Sequence, residues 1–142
     1  LKHKADIKSS DNNGSIPLIV ACFAGQLEVV RCLLAFNSEP RWKNKQGINA
    51  LGAAIVTHKE SGGRLEVMRE LLRYCKKKDI SIVESRNSST QWTPLIVAAY
   101  KGYADVVELL LEYGADLSAK GKKGFTALIA ASQNGWIEVV RV

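Results

Sequence analysis

Two kinds of side chain in this sequence could support metal binding or acid–base chemistry, and their placement argues against both. The only histidines are His3 and His58, and neither has a partner at a spacing typical of a catalytic set or a ligand pair. Cys22 and Cys32 lie ten positions apart, on two different predicted helices, at places for a small and a leucine-like residue. We therefore expect solvated loop histidines, and buried structural thiols at positions 22 and 32 rather than zinc ligands.

A short lysine-containing segment between glycines is the remaining chemical candidate. Residues 121–124 read GKKG, which shares glycine and lysine with phosphate-binding loops. The segment lacks the Gly-x-x-x-x-Gly-Lys-Ser/Thr spacing that places backbone N–H groups around a phosphate. We interpret it as a turn, and the sequence predicts no catalytic residue, no metal site and no cofactor. The protein is expected to be non-enzymatic.

Composition limits the class of protein further. The chain has 142 residues, of which 46% are hydrophobic and 24% charged, enough for one domain with a core. No apolar run approaches the 18 residues of a membrane span, so no membrane insertion is expected. Three cysteines, an odd number, favour a reducing compartment, cytoplasmic or nuclear. Because the first residue is Leu1, we expect an excerpt of a longer protein.

One unit recurs along the chain. Leu18 and Leu51 begin matching segments 33 residues apart, Leu51 and Leu95 are 44 apart, and Leu95 and Leu128 are again 33 apart. The second unit thus carries eleven extra residues, five around 58–62 and six after Leu72. A fixed period of this size indicates a repeat architecture. The predicted divisions are 1–10 (end of a preceding repeat), 11–43, 44–87 (with the insertions), 88–120 and 121–142 (truncated).

Each unit has the pattern of two short helices. In the third unit Thr93 is a natural N-cap, and Pro94 suits the first helical position because its missing N–H costs nothing there. Gly102 is placed to end the first helix in a left-handed conformation, residues 106–111 are almost all apolar, and Gly114 follows the second helix. One such unit cannot bury its own apolar surface, so neighbouring units must stack.

Over essentially its whole length the chain resembles an ankyrin-repeat array. The matching segments in the third unit are TPL, AA, DVV, LLL and GAD, at 93–95, 98–99, 105–107, 109–111 and 114–116. The resemblance implies an all-α solenoid of stacked helix–turn–helix units. It also implies partner contacts made by the turns between units and by the exposed side of each first helix.

The chain departs from the family pattern at two kinds of position. The family has His after Thr-Pro-Leu, where this chain has Ile19, Gly52, Ile96 and Ile129, so apolar packing must replace hydrogen bonding in three units. Cys75 stands where a second helix would end at glycine, and a left-handed backbone does not suit cysteine. The second helix of the second unit is therefore predicted to continue into residues 76–78.

Large apolar residues and lysines recur at the places where the family meets its partners. Aromatic groups flanked by lysines on one face are typical of a groove for a protein or peptide. The alternative is that some of these aromatics pack against neighbouring turns. The candidate partner-binding residues are Phe23, Lys45, Ile48, Trp92, Tyr100, Lys101, Lys122, Lys123 and Phe125.

The resulting functional hypothesis is a protein- or peptide-binding module that uses its concave face and the turns between its units. The net charge of +6 weakly favours an acidic partner. One alternative is nucleic-acid or polyanion binding through the basic turn tips, which acidic residues such as Glu66 and Glu108 disfavour by interrupting the basic surface. Another is a regulatory module of an enzyme or channel. The isolated module is expected to be monomeric.

Overall fold

Helices form almost all of the regular structure of this protein. The structure is a computed structural model, and it describes residues 5–59 and 64–142. Within those two ranges no residue lies in a β-strand, which confirms the prediction of an all-α fold. The α-helices are α1 (Pro17–Ala24), α2 (Leu27–Ala35), α3 (Ala50–Val56), α4 (Leu65–Lys77), α5 (Pro94–Lys101), α6 (Ala104–Glu112), α7 (Ala127–Asn134) and α8 (Ile137–Arg141).

Side-chain caps fix where several first helices begin. Thr93 accepts a hydrogen bond from the Ile96 N–H at 3.3 Å, which confirms its predicted role as N-cap of α5. Thr126 caps α7 in the same way. At α3, which lacks the Thr-Pro start, the Asn49 side chain accepts from the Gly52 N–H at 2.9 Å. The first helix of the second unit thus has a side-chain cap, as α5 and α7 do, whereas α1 has none.

The helix ends follow the glycines. Gly102 has φ +79°, and its N–H and that of the next residue return to the carbonyls at the end of α5, as predicted. Gly25 and Gly135 end α1 and α7 in the same left-handed conformation. With Cys75 in place of glycine, α4 continues to Lys77 and has 13 residues, against nine in α2 and α6. The predicted extension of this helix is confirmed.

The helices form two layers. The first helices α1, α3, α5 and α7 pack in sequence against one another, and α2, α4, α6 and α8 form the second row. Each first helix also packs on the second helix of its own unit. Buried alanines such as Ala54, Ala98 and Ala130 lie in the first helices, and their small size permits close helix packing. The core therefore runs continuously between the two layers.

Long side chains join neighbouring units at the ends of the first helices. The Arg64 guanidinium lies against Gly25 and donates to the Phe23 carbonyl at 3.1 Å. Trp136 occupies the same place two units along, because its ring lies against Gly102 and its Nε1 donates to the Tyr100 carbonyl at 2.9 Å. Both glycines have positive φ, +69° and +79°, and a Cβ atom at either would come within 2.7 Å of the covering side chain, so both positions favour glycine.

The expectation for His58 was wrong. This side chain is only 2% exposed, and its ring makes an edge contact with Tyr103 at 4.9 Å between centroids. The Arg64 N–H donates to His58 Nδ1 at 3.0 Å, so Nε2 carries the proton and donates to Asp105 Oδ2 at 3.1 Å. Asp105 lies in the next unit, so His58 packs between two units. His3 lies outside the described residues.

The expectation for the thiols was right for Cys22 and wrong for Cys32. Burial raises the pKa of the Cys22 thiol to about 12, and it raises the pKa of Cys75 to about 11. Cys32 is exposed. Its equivalent in the third unit, Leu109, is buried on α6, which packs against both α4 and α8, whereas α2 packs against α4 alone in the second row of described helices. The leucine-like position was recognised correctly, but its burial depends on a neighbouring unit.

Candidate partner-binding groove

An apolar groove opens between the first helices of the second and third units. It has a volume of about 440 Å³, with walls from α3 and α5 and from the turns that precede both helices. Most of its accessible surface is apolar. The side chains that determine this character are Ile48, Ile55, Val56, Trp92, Val97 and Tyr100.

Gly52 explains why the groove lies between these two units. The equivalent residues Ile19 and Ile96 are buried, whereas the equivalent Ile129 of the last unit is 47% exposed, which indicates that the following unit covers this position. At Gly52, which lines the groove, that side chain is missing. Its φ is not in the left-handed region, so the backbone there does not require glycine. The groove is the space that an isoleucine occupies elsewhere in the array.

An aromatic cluster forms one wall. The Trp92 ring stacks on Phe125 with 5.1 Å between centroids and 13° between planes, and it meets Tyr100 at 5.0 Å. Trp92 also lies against Gly121, where a Cβ atom would come within 2.5 Å of the indole. Trp92 is therefore partly buried and structural, as the packing alternative expected. Tyr100 remains 42% exposed and is the ring most accessible to a partner.

The predicted lysines occupy different places around this wall. Lys101 is the one charged side chain among the residues that line the groove. Lys122 and Lys123 are exposed in the 3₁₀ turn Lys122–Gly124 that leads to Phe125. Lys45 lies one turn away, where its ammonium group donates to the Asn12 carbonyl at 2.9 Å. Lys45 thus ties two turns together.

The layer of first helices, which lines the groove, carries no acidic residue in the described parts of the chain. None of the described first helices, α1, α3, α5 and α7, contains Asp or Glu. The second helices hold seven acidic residues: Glu28, Glu66, Glu70, Asp105, Glu108, Glu112 and Glu138. Several of them pair with arginines of the same layer, such as Glu70 with Arg31 at 3.3 Å. The helical layer that lines the groove therefore has an unopposed positive charge at Lys101.

An unpaired donor lies at the α3 side of the groove. Asn49 is 4% exposed, and its Oδ1 is used to cap α3. Its Nδ2 is shielded from solvent and has no hydrogen-bond partner in the described parts of the chain. A buried donor without an acceptor costs about 1–3 kcal/mol. The Asn49 amide is therefore a strained feature of the α3 wall, and it is shielded from the groove's solvent.

The groove gathers some of the predicted residues and leaves others apart. Ile48, Trp92, Tyr100 and Lys101 line it, and Phe125 supports it through the stack on Trp92. Phe23 and Lys45 are not among the lining residues, and Phe23 packs partly against the core. Sequence reasoning missed Gly52 as the origin of the groove. The signal was visible, since glycine is the exception in a column of isoleucines.

Two other kinds of feature are absent from the described residues. No group of three or more His, Cys, Asp or Glu side chains in residues 5–59 and 64–142 could hold a metal ion. In the same two ranges, no helix has the length and apolar character needed to cross a membrane.

Stacked helix pairs with left-handed glycines between them define a helical repeat protein. A family model described as Ankyrin repeats (3 copies) matches residues 1–83 and 61–142. The chain belongs to the ankyrin-repeat family.

Several curated proteins resemble the chain along most of its length. It is 30% identical over 131 residues to the ankyrin repeat and KH domain-containing protein mask-1 of Caenorhabditis elegans, covering 92% of this chain and 5% of that protein. It is 35% identical over 138 residues to the human transient receptor potential cation channel subfamily A member 1, covering 96% and 11%. Identity to human ankyrin repeat and KH domain-containing protein 1 is 34% over 116 residues, covering 82% and 4%. The chain thus spans a small part of each relative.

Proposed function

We propose that this chain is a non-enzymatic recognition module that binds a protein or peptide through the groove between its second and third units. Ankyrin repeats are in general protein-interaction modules, and the relatives include multidomain proteins and a channel. The observation that carries the proposal is the 440 Å³ apolar groove with exposed Tyr100 and Lys101 at its edge. Partly exposed aromatics beside a cavity are the usual anchors of protein interfaces.

The proposal extends to the context of the module. Its units are 11–43, 44–87, 88–120 and 121–142, preceded by the end of another repeat, and one pair of helices falls in each range. We assign it to a reducing compartment, cytoplasmic or nuclear, because of its odd number of cysteines. The isolated module is expected to be monomeric, and in a longer protein it would act as the partner-binding part of a scaffold, enzyme or channel.

A peptide-display selection on the immobilised chain tests this function. Selected peptides should bind the wild-type chain, and Trp92→Ala combined with Tyr100→Ala should weaken binding at least tenfold, or about 1.4 kcal/mol. Tyr100→Ala alone separates recognition from folding, because Trp92 also packs between units. Phe36→Ala is the matched control, since Phe36 is 47% exposed at the end of α2, outside the groove. Equal losses from Tyr100→Ala and Phe36→Ala would place the binding face elsewhere.

Salt dependence distinguishes nucleic acid from a protein or peptide ligand. Lysines that bind phosphates release counterions, so the logarithm of nucleic-acid affinity falls steeply with the logarithm of salt concentration. A peptide that docks on an apolar groove is expected to show a weak dependence. Tight binding of any nucleic acid with a steep slope, together with failure of the display selection, would reverse this assignment.

A further inference from the structure

We propose that the space left by Gly52 is a pocket for one aliphatic anchor side chain of an acidic peptide segment. This inference rests on the proposed function and adds the chemical class of the ligand. The groove reproduces the place where Ile19 and Ile96 lie in their own units, because Gly52 aligns with both. Both isoleucines are buried, whereas Ile129 at the same position of the last unit is exposed, so a following unit accepts a branched aliphatic group here. A partner's leucine or isoleucine supplies the missing group.

The acidic character of the segment follows from charge complementarity. Lys101 is the charged residue of the groove, and Lys122 and Lys123 are exposed in the turn that precedes Phe125. The four first helices carry no Asp or Glu that would neutralise these ammonium groups. A peptide with carboxylates beside its anchor would gain attraction there, whereas a basic peptide would meet like charges.

The α3 wall contains one buried polar group. The Asn49 amide nitrogen belongs to a groove-lining residue, is shielded from solvent, and has no acceptor among residues 5–59 and 64–142. The Asn49 oxygen Oδ1 is held by the Gly52 N–H. The pocket that a ligand can reach therefore combines an apolar space with one cation at its edge.

Peptides that differ only in the anchor residue and in charge test the pocket of the wild-type chain. The probes are fluorescein-labelled nonapeptides of Glu and Ser with Leu, Ile or Ala at the centre, and the same peptides with Lys in place of Glu. Fluorescence anisotropy on the wild-type chain should show the Leu peptide binding at least tenfold more tightly than the Ala peptide, a gain that burial of the larger side chain can supply. The Lys peptides should bind at least tenfold more weakly.

Gly52→Ile should reduce the difference between Leu and Ala peptides to less than about threefold, because the variant's own side chain occupies the pocket. A Cβ atom at position 52 would lie 3.3 Å from Ile48 Cγ2, so a small shift of Ile48 is required. Gly52→Ala, which adds one methyl group in a helix, is the milder variant and should give an intermediate loss without a lower melting temperature. Ala35→Ile places the same isoleucine side chain on exposed α2 and should leave binding unchanged.

The outcomes separate this inference from the proposed function. If display yields peptides that bind the groove but Gly52→Ile and wild type bind them equally, the anchor pocket is wrong and the binding function stands. Equal binding of Leu and Ala peptides to the wild-type chain, or a preference for Lys peptides, also overturns the inference. If no peptide binds in either experiment, both proposals fail.

Discussion

Substitution of His58 by alanine is the strongest test of how this array is held together. His58 precedes residues 60–63 in the chain and Arg64 follows them, and the His58–Arg64 hydrogen bond joins the two sides. The same ring reaches Asp105 in the third unit and packs against Tyr103. One side chain thus connects the two ends of an insertion to the next unit. His58→Ala removes all three contacts at once.

The magnitude follows from these contacts. Loss of an edge contact between two rings costs about 0.5–1.5 kcal/mol. The Arg64 N–H, in a half-buried residue, loses its acceptor, which costs about 1–3 kcal/mol. Asp105 is 46% exposed, so water replaces His58 as its partner and this part of the loss is small. The expected sum is about 2–4 kcal/mol of unfolding free energy, or a melting temperature lower by about 5–15 °C.

Urea unfolding followed by circular dichroism measures the free energy, and hydrogen exchange at the Arg64 amide reports the particular bond. That amide should exchange much faster in His58→Ala. His58→Asn should recover part of the loss, because the amide oxygen of asparagine can accept from the Arg64 N–H. The recovery is partial because the shorter side chain does not bridge to Asp105. Lys59→Ala, at the exposed neighbouring residue, is the control and should stay within about 0.5 kcal/mol of wild type.

A loss below about 0.5 kcal/mol for His58→Ala, with unchanged protection of the Arg64 amide, would refute this reasoning. It would mean that His58 behaves as the solvated loop residue that its sequence context suggested. An equal effect of Lys59→Ala would show that the insertion tolerates no change and that the histidine contacts are not the cause.

Four further outcomes are expected. In the native 142-residue chain a thiol reagent should modify Cys32 rapidly and spare Cys22 and Cys75. In the unmodified chain, the free energy of unfolding should fall as the pH rises above about 9. The unfolded thiols release their protons there, whereas folded Cys22 holds its proton up to about pH 12 and folded Cys75 up to about pH 11. Rapid labelling of all three would contradict this. Amides in residues 49–90 should exchange faster than those of the third unit, since Gly52 leaves α3 and α5 less well packed and an interior glycine costs up to about 1 kcal/mol; equal protection would argue against it. Adding a further repeat after Val142 should raise the melting temperature. Ile129 on α7 is 47% exposed, whereas the equivalent Ile96 on α5, the helix that packs against α7, is buried. Covering Ile129 would contribute about 1.5–3 kcal/mol. No gain would mean that this face needs no cover.

The sequence by itself determined the features that depend on short-range chemistry. A period of 33 residues located the units, Thr93 and Pro94 marked a helix start, and Gly102 marked a helix end. The cap and glycine signals act within one or two helical turns, because a cap bonds to residues three or four positions away. The same locality predicted that α4 would extend past Cys75, and it does.

Only the tertiary structure decided which residues are buried between units and where the groove lies. His58 is held by Asp105, which is 47 positions away, and Cys32 is exposed on α2, which packs against α4 alone in the second row of described helices. Trp92 stacks on Phe125 from the next unit, so it is partly structural rather than freely exposed. Gly52 was visible as an irregularity, but its consequence is a space between two helices. Burial and cavities are properties of surfaces brought together from distant parts of the chain, and local sequence patterns do not specify them.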